Sequence, residues 1–111
     1  MHEAAALLRA RKTSSVELTR ACIANIERLD GDLVAFISKT LDRALADAER
    51  ADRDLAAGAD RGAFQGIPVA LKDLYDVKGD VTTAGSRIFA SSVAAADSAV
   101  TERLRAAGAV L

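Results

Sequence analysis

The sequence is poor in the residues that most narrow a protein's chemistry: one cysteine, one histidine, one proline and no tryptophan among 111 residues. The lone Cys22 cannot close an intramolecular disulfide, and no Cys or His stands near it at metal-ligand spacing. That excludes a disulfide scaffold and a zinc module, and it suits a reducing compartment. Neither sign of charge dominates. Fifteen Lys and Arg face sixteen Asp and Glu, for a net charge of -1, so there is no excess to hold phosphates or an anionic membrane. With three Phe and one Tyr, a stacking platform is missing too, and direct nucleic-acid binding is not expected. No apolar run approaches the ~20 residues a membrane helix needs. The first residues, Met1 to Lys12, carry an acidic Glu3, too short an apolar centre and no small-residue cleavage site, unlike a secretory signal. A cytoplasmic chain is expected.

What is present is apolar residues, 50% of the chain, enough for a core and too many for default disorder. Residues 3–11 are rich in Ala and Leu and end in Arg9, Arg11 and Lys12, which complement a helix dipole. Ser14 and Glu17 have capping-box spacing, and Val16, Thr19, Ile23 and Ile26 then recur on one face, predicting a helix over 15–29. Asp30 and Gly31 read as its end, and the β-branched and aromatic segment 33–38 as a strand. Leu41, Ala44, Leu45, Ala48, Ala51 and Leu55 recur at helical spacing, predicting the longest helix over 41–57, stopped by Gly58. Residues 67–72 read as a buried strand with Pro68 near its start. Gly79 to Ser92 reads as a surface loop, and Asp97 or Ser98 as the cap of a last helix over 98–107 that Gly108 ends.

Ala109, Val110 and Leu111 then look like the opening of another strand. Helix, strand, helix, strand, helix and the start of a strand make an α/β layered sheet, which needs further strands beside it and helices on its faces. The expectation is the N-terminal portion of one larger domain, truncated after 111.

Among the polar residues, Lys72 stands out. In the 67–72 strand neither face is convincingly polar, and a lysine held there loses hydration of its ammonium form, leaving a neutral amine able to act as a base. The alternative is a lysine at a strand end, its stem on apolar neighbours and its amine in water or paired to Asp73 or Asp76.

Gly66-Ile-Pro-Val-Ala-Leu-Lys-Asp73, then Asp76-Val, Gly79 and Thr82-Thr-Ala-Gly-Ser86, and finally Arg103-Leu-Arg-Ala-Ala-Gly-Ala-Val-Leu111 together resemble the opening of the amidase signature family. Ser14-Ser-Val-Glu-Leu18 and Leu33-Val-Ala-Phe-Ile37 resemble that family's N-terminal region, so the resemblance covers nearly the whole chain. It implies an α/β/α layered fold with a mixed central sheet, incomplete here. It also implies amide C–N hydrolysis by a serine nucleophile, a second serine in a cis peptide, and a lysine. By motif position the catalytic lysine is Lys72. Lysine and serines supply proton transfer and nucleophile, so no cofactor or metal is implied. The expected partners are a small-molecule or peptide amide, the missing C-terminal portion of the same domain, and either a second copy or amidotransferase subunits.

Both catalytic serines of that family lie beyond the block that ends here at Leu111, so the 111 residues alone are expected to be inactive. None of Ser14, Ser15, Ser38, Ser86, Ser91, Ser92 and Ser98 has the family's Gly- and Ser-rich context, and Ser86 reads as a turn residue. His2 sits in the terminus, Cys22 on an apolar helix stripe, and Tyr75 is either packing or a pocket wall. The rival from another class is a small helical interaction module, whose apolar stripes bury against a partner and whose Lys72 is surface charge.

Overall fold

The computed structural model describes residues Met1–Leu111. Four helices are formed: α1 (His2–Arg9), α2 (Ser15–Leu33), α3 (Leu41–Ala56) and α4 (Ala99–Ala106), with one 3-10 turn at Arg87–Phe89. The capping box at α2 is complete, with the Glu17 N–H donating to Ser14 Oγ at 3.0 Å and the Ser14 N–H to Glu17 Oε2 at 2.8 Å. A second cap reaches α2 from another helix. Asp52 on α3 accepts the Ser15 and Val16 N–H groups at 2.7 and 3.1 Å, two donors that a helix start leaves without partners. It fixes how α2 and α3 pack together.

Two expected features are absent. α2 runs through Asp30 and Gly31 to Leu33 and stops only at Val34, which takes a left-handed φ of 48°. Residues 33–38 form no strand. The reason lies in Asp30, whose Oδ1 accepts the N–H groups of Ala35 and Phe36 at 2.7 and 3.1 Å, while its Oδ2 pairs with Lys39 at 2.6 Å. Those N–H groups are the ones a sheet ladder would use, and β-propensity without a neighbouring strand does not make one.

The 67–72 segment is extended only in part. Gly66 N–H donates to Gly108 O at 2.9 Å, Val110 N–H to Ile67 O at 3.0 Å and Val69 N–H to Val110 O at 2.8 Å, which gives a single parallel bridge, Pro68 to Val110. Ala70 and Leu71 lie past the last paired residue. A turn follows, with the Leu74 and Tyr75 N–H groups on Lys72 O. Val81 and Val93 form an antiparallel bridge at the base of the 83–91 loop. An extended sheet, and the strand of 67–72 at full length, are therefore not formed within these residues.

The core is small and lies where α1 meets the bridged segment, with Ala5, Leu8 and Ile67 in contact and Leu18, Leu55 and Val69 around them. Arg9 straps α1 to the turn after α3, donating to both oxygens of Asp60 at 2.7 and 2.8 Å and to Gly62 O at 2.7 Å. Only 13 of 111 residues are buried, and the accessible surface is 7200 Å², against about 5,800 Å² for a closed monomer of this mass. Leu33, Val34, Ile37, Ile88 and Val93 are each more than 60% exposed. No helix is long and apolar enough to cross a membrane.

Candidate functional site

Lys72 ends the segment that starts at Gly66, and the turn on its own carbonyl reverses the chain directly after it. Its side chain is exposed, not enclosed among apolar neighbours. The desolvation expected from the strand's composition therefore has no enclosing wall in these residues. What the structure does provide is a groove of about 800 Å³ beside it, open to solvent and mainly apolar. Ile23 and Ile26 of α2, Leu41 and Ala44 of α3, Val69 and Leu111 wall it, and Lys72, Tyr75 and Cys22 stand along it.

The lysine has no carboxylate partner: none of the ion pairs includes it. Pairing with Asp73 or Asp76, the alternative drawn from sequence, does not occur. The Asp73 carboxylate is engaged elsewhere, accepting the Thr83 N–H at 2.7 Å, the Thr83 hydroxyl and, at 3.4 Å, the Gly85 N–H. The Thr83 hydroxyl above all, then its N–H, holds the Asp73 carboxyl below the usual carboxylate range, with Lys72 a lesser influence. Asp76 contributes its backbone oxygen, which accepts the Thr101 hydroxyl at 2.7 Å and the Ser98 N–H at 2.9 Å. That contact seats α4 behind the Lys72 turn.

Two other ion pairs border the groove. Arg43 of α3 donates to Asp80 with both terminal nitrogens, one at 3.0 Å, and Lys39 pairs with Asp30. Each brings its own counter-charge.

The serines take structural roles or stand apart. Ser14 and Ser98 cap α2 and α4. Ser15 is fully buried and donates to Gly66 O at 2.7 Å. Ser86 caps the 3-10 turn, accepting from Ile88 N–H at 3.3 Å. Ser38 alone among the serines borders the groove. His2 is exposed at the first turn of α1, away from the groove, and Cys22, expected in the core, is exposed on its border. Sequence reasoning missed the Asp73–Thr83 contact. Its only signal was a carboxylate ten residues before a threonine in a Gly-containing turn.

The arrangement thus offers one unpaired primary amine at the rim of an apolar groove, beside a loop that a carboxylate holds fixed. It can take up a proton, and Cys22, Ser38 and Tyr75 stand along the same groove.

The amidase family model matches residues 17–111. Among curated proteins, the chain is similar to the glutamyl-tRNA(Gln) amidotransferase A-subunit of Chromohalobacter salexigens, 48% identical over 97% of this chain and 22% of that protein. The Methylococcus capsulatus protein of the same name is 50% identical over 98% of this chain and 22% of its own length. Among solved structures, native peptide amidase from Stenotrophomonas maltophilia superposes with a TM-score of 0.86 at 36% identity, covering 95% of this chain and 22% of that one. A vestigial protein complex bearing on the evolutionary origins of an s-triazine catabolic enzyme gives a TM-score of 0.91 at 36% identity, covering 98% and 24%. The chain spans less than a quarter of the length of each of these relatives.

Proposed function

The chain belongs to the amidase family, and from that premise we propose that residues 1–111 are the N-terminal portion of a single amidase domain, in an enzyme that breaks a carboxylic amide C–N bond. The observation that carries this reading is the unpaired Lys72 at the rim of an apolar groove, in the Gly66-Ile-Pro-Val-Ala-Leu-Lys-Asp73 block. In the proposed reaction the neutral Lys72 amine accepts a proton relayed through a serine in a cis peptide. A second serine attacks the amide carbonyl, and backbone N–H groups stabilise the oxyanion. The tetrahedral intermediate then expels the amine, which takes the proton back from Lys72, and the acyl group left on the second serine passes to water or to an amine. Both serines belong to the part of the domain beyond these residues, and no cofactor or metal enters.

The α/β/α layering and the mixed sheet belong to the same proposal. The parallel Pro68–Val110 bridge would be its seed, and the exposed edge at Ala70 and Leu71 would be completed by downstream strands. The excess accessible surface, about a quarter above that of a closed monomer of this mass, supports a covered face. It weighs against a self-contained helical module.

Of the two forms of the enzyme, membership of a tRNA-dependent amidotransferase complex is favoured, because the relatives with that name reach 50% identity and the peptide amidase 36%. In that form the partners are the other subunits, the location is cytoplasmic, and contacts to nucleic acid fall to those subunits, given this chain's net charge of -1. The stand-alone peptide amidase is the second reading, supported by the TM-score of 0.86.

The test is to prepare the longer protein and the 111-residue segment side by side, and to assay each for hydrolysis of glutamine and peptide amides and for labelling by a fluorophosphonate. The longer protein is expected to release ammonia and to be labelled at serine, and the segment to do neither. Labelling of the segment, or a longer protein inert to every amide and to the probe, contradicts the reading.

A further inference from the structure

Asp73 follows Lys72 directly, and a carboxylate brought to ion-pair distance of an amine favours its charged form. For a lysine that must accept a proton, that neighbour is the most damaging one the sequence could supply. The structure resolves the conflict by occupying the carboxylate. Oδ1 accepts the Thr83 N–H at 2.7 Å, and Oδ2 accepts the Thr83 hydroxyl and the Gly85 N–H. Gly85 N–H also reaches Thr83 Oγ1 at 3.1 Å. The loop is bent to present these donors, with Ala84 at φ 49° and Gly85 at φ 69°. A left-handed non-glycine residue persists where its surroundings over-determine it, and the carboxylate supplies that constraint.

We infer that Thr83 and Asp73 form a positioning clamp: by holding the Asp73 carboxylate in the 82–86 loop, it keeps the Lys72 amine free of an anionic partner and available as a base. Thr83 is the positioning residue, acting on Lys72 through Asp73. The inference rests on the reading of Lys72 as the proton acceptor. The other titratable groups facing the groove are accounted for. Lys39 and Arg43 carry their own counter-ions, Asp30 and Asp80. Cys22 and Tyr75 border it without an ion pair, and Asp76 is not among the residues that line it; its carbonyl holds α4. Asp73 is the carboxylate that the loop must restrain.

The test uses the longer enzyme and the pH profile of kcat/KM for amide hydrolysis. Thr83→Val removes the hydroxyl and keeps the branched shape. It is expected to move the acidic limb to higher pH by about one unit, a tenfold loss on the acidic side. Asp73→Asn in the Thr83→Val background returns the limb to its original position, because the amide carries no charge. Where Thr83→Val fails to fold by circular dichroism, Asp73→Glu serves instead. It keeps the charge but carries it one methylene past the loop donors, and the same upward movement is expected. An unmoved limb in the folded variant, or a loss equal at all pH values, overturns the clamp. Lys72→Ala is run alongside: abolished turnover with an unmoved Thr83→Val limb refutes the clamp alone, whereas retained turnover refutes the role of Lys72 itself.

Discussion

Gln65 Oε1 stands 1.9 Å from the point where a Cβ on Gly108 would lie. Gln65 is 2% exposed, and this oxygen has no hydrogen-bond donor. It faces a backbone carbon bearing only hydrogen, close beside the Gly66–Gly108 hydrogen bond that begins the parallel pairing. Gly108 also takes a φ of 78°. Two requirements therefore meet at one residue: a left-handed turn that ends α4, and room for the side chain that roofs the bridge leading to Lys72.

Gly108→Ala is expected to lower the stability of the longer protein by about 2–4 kcal/mol, from left-handed strain and overpacking together. Adding Gln65→Ala should recover the overpacking part and not the strain. Urea denaturation midpoints check this, and an unchanged midpoint in the single variant contradicts it.

Asp52→Ala removes the carboxylate that caps α2 from α3 and leaves the N–H of the buried Ser15 without a partner. A loss of about 1–2 kcal/mol is expected, with Asp52→Asn costing less because its carbonyl still accepts one bond. Equal stability of Asp52→Ala and wild type would show that water replaces the cap.

The α2 start was legible because a capping box is local: Ser14 and Glu17 are three residues apart and need nothing from the rest of the chain. Gly108 was legible as a helix stop for the same reason. Residues 30–38 were misread because Asp30 acts forwards, on Ala35 and Phe36, and Gly31 costs a helix only about 1 kcal/mol. Their strand-like composition describes a surface that fits a sheet, and no strand lies beside it. Lys72 was singled out by its motif, yet its freedom from Asp73 was not legible, since that depends on a loop ten residues away.

Acid should loosen the chain through the carboxylates that the fold holds ionised. The Lys39 hydrogen bond lowers Asp30, the Thr83 hydroxyl lowers Asp73, and the Lys78 N–H lowers Asp97, each from an ordinary value of 3.8. Because the folded values lie below the unfolded ones, this stabilisation is complete above that value and is lost as pH falls through the folded values. In the longer protein, urea midpoints that are flat above about pH 5 and fall below it are expected. Asp30→Asn should flatten the fall, and a midpoint independent of pH down to 2.5 would contradict the assignment.

The isolated 111-residue segment is expected to melt without a sharp transition and to bind a hydrophobic dye, because its groove and sheet edge stay uncovered. A cooperative two-state melt with no dye binding would instead support the self-contained module.

The most direct test of the central claim is turnover of an amide by the longer enzyme carrying Lys72→Ala, with its fold verified by circular dichroism. Loss of the proton acceptor should reduce kcat by about 10²–10⁴-fold and leave the fold intact. Turnover within twofold of wild type would show that Lys72 is a solvated lysine at the end of a strand, and that the base lies elsewhere.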